Sequence, residues 1–196
     1  MVNDVHKAVE WTYNNISKYG GDKSNIIISG HSAGAHLIAL TAFKSTLRMR
    51  NNRSYLSPLP SLKKMVLLNG PYVFDDYDLN KLITGSTGIV EGGITERLVS
   101  VLVHNDDISP TDVLKSASAN SVQNFGMPEI VVYYAGKDQL VPTSSAEELM
   151  KHIRRVSPNT TLKSVYKSSY DHFTVVTGAQ AEESDQQQLF LEILRM

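Results

Sequence analysis

The stretch Asn25-Ile26-Ile27-Ile28-Ser29-Gly30-His31-Ser32-Ala33-Gly34-Ala35-His36-Leu37 constrains this chain more than any other. Three consecutive isoleucines predict a short strand over 25–29. An apolar run without alternation suits a strand covered on both faces, as in a parallel sheet. The small residues Ala33 and Ala35 then open an apolar helix. Between strand and helix lies Gly30-x-Ser32-x-Gly34. A serine there is lifted out of the backbone on a sharp strand-to-helix bend, its hydroxyl exposed. The glycines are expected where side chains would collide with the neighbouring strand and helix. Such a pattern also arises by chance, and the alternative is a glycine-rich turn with an N-capping serine. The strand before it and the helix after it favour the elbow.

The rest of the chain alternates in the same way. Val2, Val5, Val9, Tyr13 and Ile16 recur at helical spacing over 2–18, and Tyr19-Gly20-Gly21 supplies a stop. The helix after Ser32 is expected to run to about Lys44, with Ala33, Leu37, Leu40 and Thr41 inward. Residues 45–60 break the pattern. Arg48, Arg50 and Arg53 fall there among Asn and Ser, as a solvated loop or a basic patch. A second strand is predicted over 64–69 and a third over 129–134. Ser144-Ser145-Ala146-Glu147 resembles a capping box opening a helix to about Arg155. A fourth strand is predicted over 161–166, with one face exposed, and a last helix over 184–195.

Residues 72–126 contain no clear strand. They hold an acidic cluster (Asp75, Asp76, Asp78), a glycine-rich stretch and a helix expected around 94–104, with Ser109-Pro110-Thr111-Asp112 as punctuation. An insertion of this size between core strands is expected to form a lid over a pocket. Helices alternating with strands give a parallel sheet of about four strands wrapped by helices, an α/β architecture. The 196 residues, 41% of them apolar, are enough for one domain spanning 1–196 with a sizeable core.

Composition removes several function classes. With 19 basic and 20 acidic residues nothing argues for a nucleic-acid partner. There is no cysteine, so there is neither a disulfide framework nor thiol chemistry. No apolar run approaches the roughly 18 residues that span a bilayer, and no signal-peptide core is visible. A cytoplasmic location is the expectation, and oligomeric state leaves no trace in the pattern.

Functional residues of such sheets lie beyond the carboxyl ends of the strands. Ser32, Asp138 and His172 fall there, in the order nucleophile, acid, histidine. A serine hydroxyl needs a base to take its proton, and histidine can do so near neutral pH. A carboxylate fixes the imidazole tautomer and stabilises the imidazolium. A surface-turn role for Asp138 and a structural loop role for His172 are the alternatives. Asp171 adjoins His172 and is poorly placed to orient it. His36, four residues past Ser32, is expected to be packed or hydrogen-bonded, and His31 to shape the elbow. His152 falls on the outer side of its helix, and His6 and His104 lack context.

Gly30-His31-Ser32-Ala33-Gly34-Ala35-His36, the preceding 14–22 segment, Ala135-Gly136-Lys137-Asp138-Gln139-Leu140-Val141-Pro142, Ser109-Pro110 and Asp171-His172 together resemble the carboxylesterase-like α/β-hydrolases. Within these the chain is most similar to the isoprenylcysteine methylesterase-like proteins, with arylformamidases as near relatives. The resemblance implies an α/β-hydrolase fold and a serine hydrolase. Ser32 would be nucleophile, Asp138 acid, His172 base and the Ala33 N–H an oxyanion donor, with Gly30, His31 and Gly34 forming the elbow. It implies a small ester or amide substrate, either a prenylcysteine methyl ester or N-formylkynurenine, and neither metal nor cofactor. One departure stands out. Such enzymes carry strands and a His-Gly-Gly loop before the elbow, and this chain has one helix there and no His-Gly-Gly. The expectation is an N-terminally truncated form whose elbow strand lies at an open sheet edge. A catalytically inactive binding module is then a further reading. An endoplasmic-reticulum membrane association would depend on an anchor in a longer form.

Overall fold

The isoleucine run enters the sheet later than its composition predicts. In the computed structural model, which describes residues 1–51, 54–74 and 108–196, strand β1 spans Ile27–His31. It therefore carries Gly30 and His31 within the strand rather than beyond it. A helix, α1 (Val2–Asn15), precedes it and continues as a 3-10 turn to Tyr19. Helix α2 (Ala33–Thr46) follows immediately. The 45–60 segment is not purely a loop, because Arg50–Asn51 (β2) and Ser54–Tyr55 (β3) form a small antiparallel ladder. Then come β4 (Lys64–Leu68), α3 (Pro110–Ser116), β5 (Glu129–Ala135), α4 (Thr143–Val156), β6 (Thr161–Lys167), α5 (Thr174–Gln180) and α6 (Ser184–Arg195).

Among the described residues β1, β4, β5 and β6 form one sheet in the order β1-β4-β5-β6, every pair parallel. Alternation along β4 sends Met65 and Leu67 to one face and Val66 and Leu68 to the other. The first pair joins the core beneath α1, α2, α3 and α4, which includes Phe43, Leu114, Leu149 and Ile153. The second joins Val131, Tyr133, Val175, Leu189 and Ile193 beneath α5 and α6. Helices on both faces explain why β4 is buried throughout.

β1 behaves differently from the expectation of a strand covered on both faces. It lies at the sheet edge, and all five residues are partly or fully exposed. Beside it runs an open apolar groove of about 370 Å³, lined in part by Val5, Val9, Ile26, Ile28, Gly34 and Leu37. Leu37 is therefore half-buried, whereas most of α2 from Ala35 to Ser45 is buried on every side.

Two further helices correct the reading of the sequence. Ser109-Pro110 does not merely punctuate. Ser109 Oγ accepts the Asp112 N–H at 3.2 Å and caps α3, with Pro110 at its first position. The capping box over 144–147 is absent. α4 starts two residues earlier, after Pro142, without a side-chain cap, and Ser145 Oγ instead accepts the Tyr72 N–H at 2.7 Å. The acidic cluster, the glycine-rich stretch, the 94–104 helix and His104 lie outside the described residues, as does most of the lid-like insertion. Among the described residues no helix is long and apolar enough to cross a membrane.

Candidate active site

Ser32 sits between β1 and α2 with φ 53° and ψ −121°. A non-glycine residue with positive φ stores backbone strain, and surrounding bonds hold it. Ser32 N–H donates to the Leu68 carbonyl at 2.9 Å, and the Ser32 carbonyl accepts the His36 N–H at 3.1 Å. The two glycines of the motif are unequal. A Cβ on Gly30 would lie 2.6 Å from Gly34 C and 2.7 Å from Ala35 N, both backbone atoms that cannot yield. A Cβ on Gly34 meets nothing within 4 Å, because it opens into the groove. The collision expected at both positions therefore exists only at Gly30. Gly30→Ala should destabilise the chain by about 1–3 kcal/mol, the usual cost of overpacking, and Gly34→Ala should be tolerated. Urea unfolding of both variants checks the contrast.

Asp138 lies in the turn after β5. Its Oδ1 accepts the N–H groups of Leu140 and Val141, each at 2.8 Å. Its Oδ2 lies 2.7 Å from His172 Nδ1. The two side chains are 2% and 4% exposed. A carboxylate can only accept, so it calls for a proton on Nδ1 and leaves Nε2 as the basic nitrogen of the neutral ring. Lys137 N–H donates to the Tyr170 carbonyl at 2.9 Å, tying the loop after β5 to the loop after β6.

The other candidates resolve into structural roles. Asp171 Oδ1 accepts the N–H of Phe173 and Thr174 and the Thr174 hydroxyl, which keeps it away from the imidazole beside it. These bonds, led by the Thr174 hydroxyl, hold its carboxyl below the usual range. His36 is buried and its Nε2 lies 2.7 Å from the Ile108 carbonyl, while Phe74 meets its ring edge-on. Burial pushes its pKa down to about 4. His6 Nε2 is bonded to the Ser57 carbonyl at 2.8 Å. His152 receives the Arg155 Nε–H at 3.3 Å. His31 does more than shape the elbow, since its Nε2 lies 2.7 Å from the His172 carbonyl. Asn69, the residue after β4, was not singled out in the sequence. It is buried and donates its Nδ2–H to that same carbonyl at 2.8 Å. Its place beyond the carboxyl end of a central strand was the available signal.

A parallel sheet with helices on both faces and a strained serine elbow after an edge strand defines the α/β-hydrolase class. The chain belongs to the BD-FAE family, whose model matches residues 1–153, a span that includes Ser32 and Asp138 and ends before His172. It is 26% identical over 159 residues to esterase LipC of Mycobacterium tuberculosis, covering 79% of this chain and 36% of that protein. It is 22% identical over 160 residues to the isoprenylcysteine alpha-carbonyl methylesterase ICME of Arabidopsis thaliana, covering 80% of this chain and 35% of that one. The chain thus spans about a third of the length of these relatives. Among solved structures, Thermogutta terrifontis esterase 2 phosphonylated by sarin superposes with a TM-score of 0.62 at 17% identity, covering 98% of this chain and 64% of that one. The apo form of that esterase gives 0.59 at 19% identity, covering 98% and 63%.

Proposed function

We propose that this chain carries the hydrolytic centre of a carboxylic ester hydrolase, with Ser32 as nucleophile, His172 as general base and Asp138 as its orienting carboxylate. The observation that carries the reading is the buried 2.7 Å bond between His172 Nδ1 and Asp138 Oδ2, beyond the carboxyl ends of the sheet that presents Ser32 on its elbow. Esterases among the relatives support it.

The chemistry follows in two halves. Ser32 Oγ attacks the ester carbonyl while His172 Nε2 takes the hydroxyl proton. The Ala33 N–H, at the start of α2, donates to the oxyanion of the tetrahedral intermediate. Collapse breaks the C–O bond, and the proton on His172 passes to the departing alcohol. Water then loses a proton to His172 and attacks the acyl-enzyme, releasing the acid and restoring the Ser32 hydroxyl. Asp138 stabilises the imidazolium in both halves without taking the proton. The substrate proposed is a methyl ester of a prenylated cysteine, the class named by the ICME relative.

An organophosphonate probe tests the nucleophile, since the structural relative Thermogutta terrifontis esterase 2 is phosphonylated by sarin. Folded chain should form one adduct, on Ser32, and Ser32→Ala should lose both the adduct and at least about 10³-fold of its ester turnover. A folded chain that neither labels nor hydrolyses p-nitrophenyl esters would overturn the reading and leave a binding module. Comparing S-farnesylcysteine methyl ester with N-formylkynurenine as substrates tests the substrate class.

A further inference from the structure

We propose that Asn69 and His31 are positioning residues that hold the His172 segment across the sheet by donating two hydrogen bonds to one backbone carbonyl. The proposal rests on His172 being the base. The elements it joins are far apart. Ser32 follows β1, at one edge of the four-stranded sheet, and His172 lies in the segment after β6, at the other. Three strand intervals separate them, about 14 Å. The segment after β6 must therefore return over the carboxyl ends of β5 and β4 to bring an imidazole near the elbow.

His172 is bonded to each of the other three strand ends. Its ring meets Asp138, after β5, at 2.7 Å. Its carbonyl meets Asn69, after β4, at 2.8 Å and His31, the last residue of β1, at 2.7 Å. The ring bond sets the tautomer, and the Lys137–Tyr170 bond ties the segment two residues upstream, which together leave His172 itself free to turn about the Asp138 contact. The two carbonyl bonds remove that freedom, because they fix the backbone from the opposite side of the residue.

The chemistry of each donor is determined by its partner. A carbonyl oxygen only accepts, and its two lone pairs suit two donors. Asn69 must therefore present its NH₂ to it. Its Oδ1 is then buried with no hydrogen-bond partner among the described residues. Burying an amide half-satisfied costs free energy, and the bond to His172 is what that burial supplies. Asn69 also holds a φ of 46°, a conformation asparagine tolerates better than most residues, while its N–H is bonded to the Tyr133 carbonyl at 3.0 Å. His31 must carry its proton on Nε2. Its ring packs on the His172 ring with centroids 4.8 Å apart, and Phe173 packs against both. Burial holds His31 below its ordinary pKa, which keeps a second cation away from the imidazolium that forms on His172.

The test compares wild type with Asn69→Gly, His31→Phe, the double variant and His31→Gln. Glycine accepts the left-handed φ, and phenylalanine keeps the ring packing, so each removes a donor without straining the backbone or losing the ring. Glutamine places an amide N–H near the Nε2 position. Each single variant should slow phosphonylation of Ser32 about 10-fold and the double variant about 100-fold, the scale of a misplaced catalytic group. For ester turnover the loss should fall on kcat rather than KM, and His31→Gln should recover most of it. The proton between His172 Nδ1 and Asp138 provides a readout independent of turnover. Its downfield proton NMR resonance should persist in wild type and His31→Gln and broaden away in the double variant, with the unfolding midpoint little moved. If the double variant does not fold, the single variants and the glutamine rescue decide. An unchanged phosphonylation rate with an unchanged resonance overturns the proposal. A wild-type chain that is never phosphonylated overturns the role of Ser32 instead, and the resonance alone then decides whether Asn69 and His31 position His172.

Discussion

Asp138→Asn should lower the rate of ester turnover by about 10⁴ while leaving the chain folded. The reason lies in the two oxygens of Asp138, which have different partners. Oδ1 accepts the N–H groups of Leu140 and Val141, each at 2.8 Å, and Oδ2 meets His172 Nδ1 at 2.7 Å. Asparagine has one acceptor and one donor at these positions. Two backbone N–H groups would claim its carbonyl oxygen, so its NH₂ would face His172. The imidazole would then place its lone pair on Nδ1 and its proton on Nε2. A base whose reacting nitrogen already carries the proton cannot take one from Ser32. The turn itself keeps both N–H bonds, so the unfolding midpoint should stay near that of wild type. The check is kcat/KM for a p-nitrophenyl ester and the phosphonylation rate of Ser32, set beside thermal unfolding. A folded Asp138→Asn with an undiminished rate would remove Asp138 from the proposed mechanism.

The residues of this site differ in how much of their role a sequence can carry. Ser32 announces itself because the elbow requires particular neighbours, above all Gly30, whose Cβ would strike the backbone of Gly34 and Ala35. Asp138 and His172 can be placed because the first follows a continuous apolar run and the second an alternating one, each of which marks a strand, and strand ends are where such chemistry lies. Asn69 also follows a strand, yet its bond goes to a backbone carbonyl, which every residue possesses. No residue type at position 172 signals that partner, so the contact is invisible until the chain is folded. His31 is hidden for the same reason.

The fold shows the same division. Long apolar runs mark β4 and β5, and both cores follow from them. Short elements resting on tertiary contacts do not stand out. β2 and β3 are two residues each. α5 carries Val175, Val176 and Gly178, poor helix formers, and forms where Val175 is buried against the sheet and Asp171 Oδ1 accepts the N–H groups of Phe173 and Thr174 in the turn that leads into it. Gly34 is the reverse case, a motif residue whose steric need is absent because it borders an open groove. The lesson is local. A pattern fixes what must pack inside an element and underdetermines what must pack against it.

Acid should weaken the folded chain between pH 6.5 and 4, and His36 should account for about 3 kcal/mol of the loss at most. His36 is 1% exposed. Burial is the dominant influence on it and drives its pKa from 6.5 to about 4, only partly opposed by its bond to the Ile108 carbonyl. Above pH 6.5 the ring is neutral in both folded and unfolded chains and costs nothing. As pH falls below 6.5 the unfolded chain takes up the proton and the folded chain does not, so stability declines with each pH unit. The decline ends near pH 4, where the folded form is protonated too. A difference of this size between the two states is worth about 3 kcal/mol. His31 and His152 are also held below their ordinary values, chiefly by burial, and add to the slope in the same direction. The lowered carboxyls of Asp22 and Asp171 lose their contribution only at lower pH, through and below their ordinary range near 4, so the upper part of the window reports histidine. His36→Gln separates the terms, because glutamine retains an N–H donor for the Ile108 carbonyl without a titrating group. Urea unfolding from pH 4 to 7 should show the slope of wild type clearly flattened in this variant. An identical slope in the two proteins would mean that His36 is accessible to protons in the folded chain, and that its burial between Phe74 and the Ile108 carbonyl is not maintained in solution.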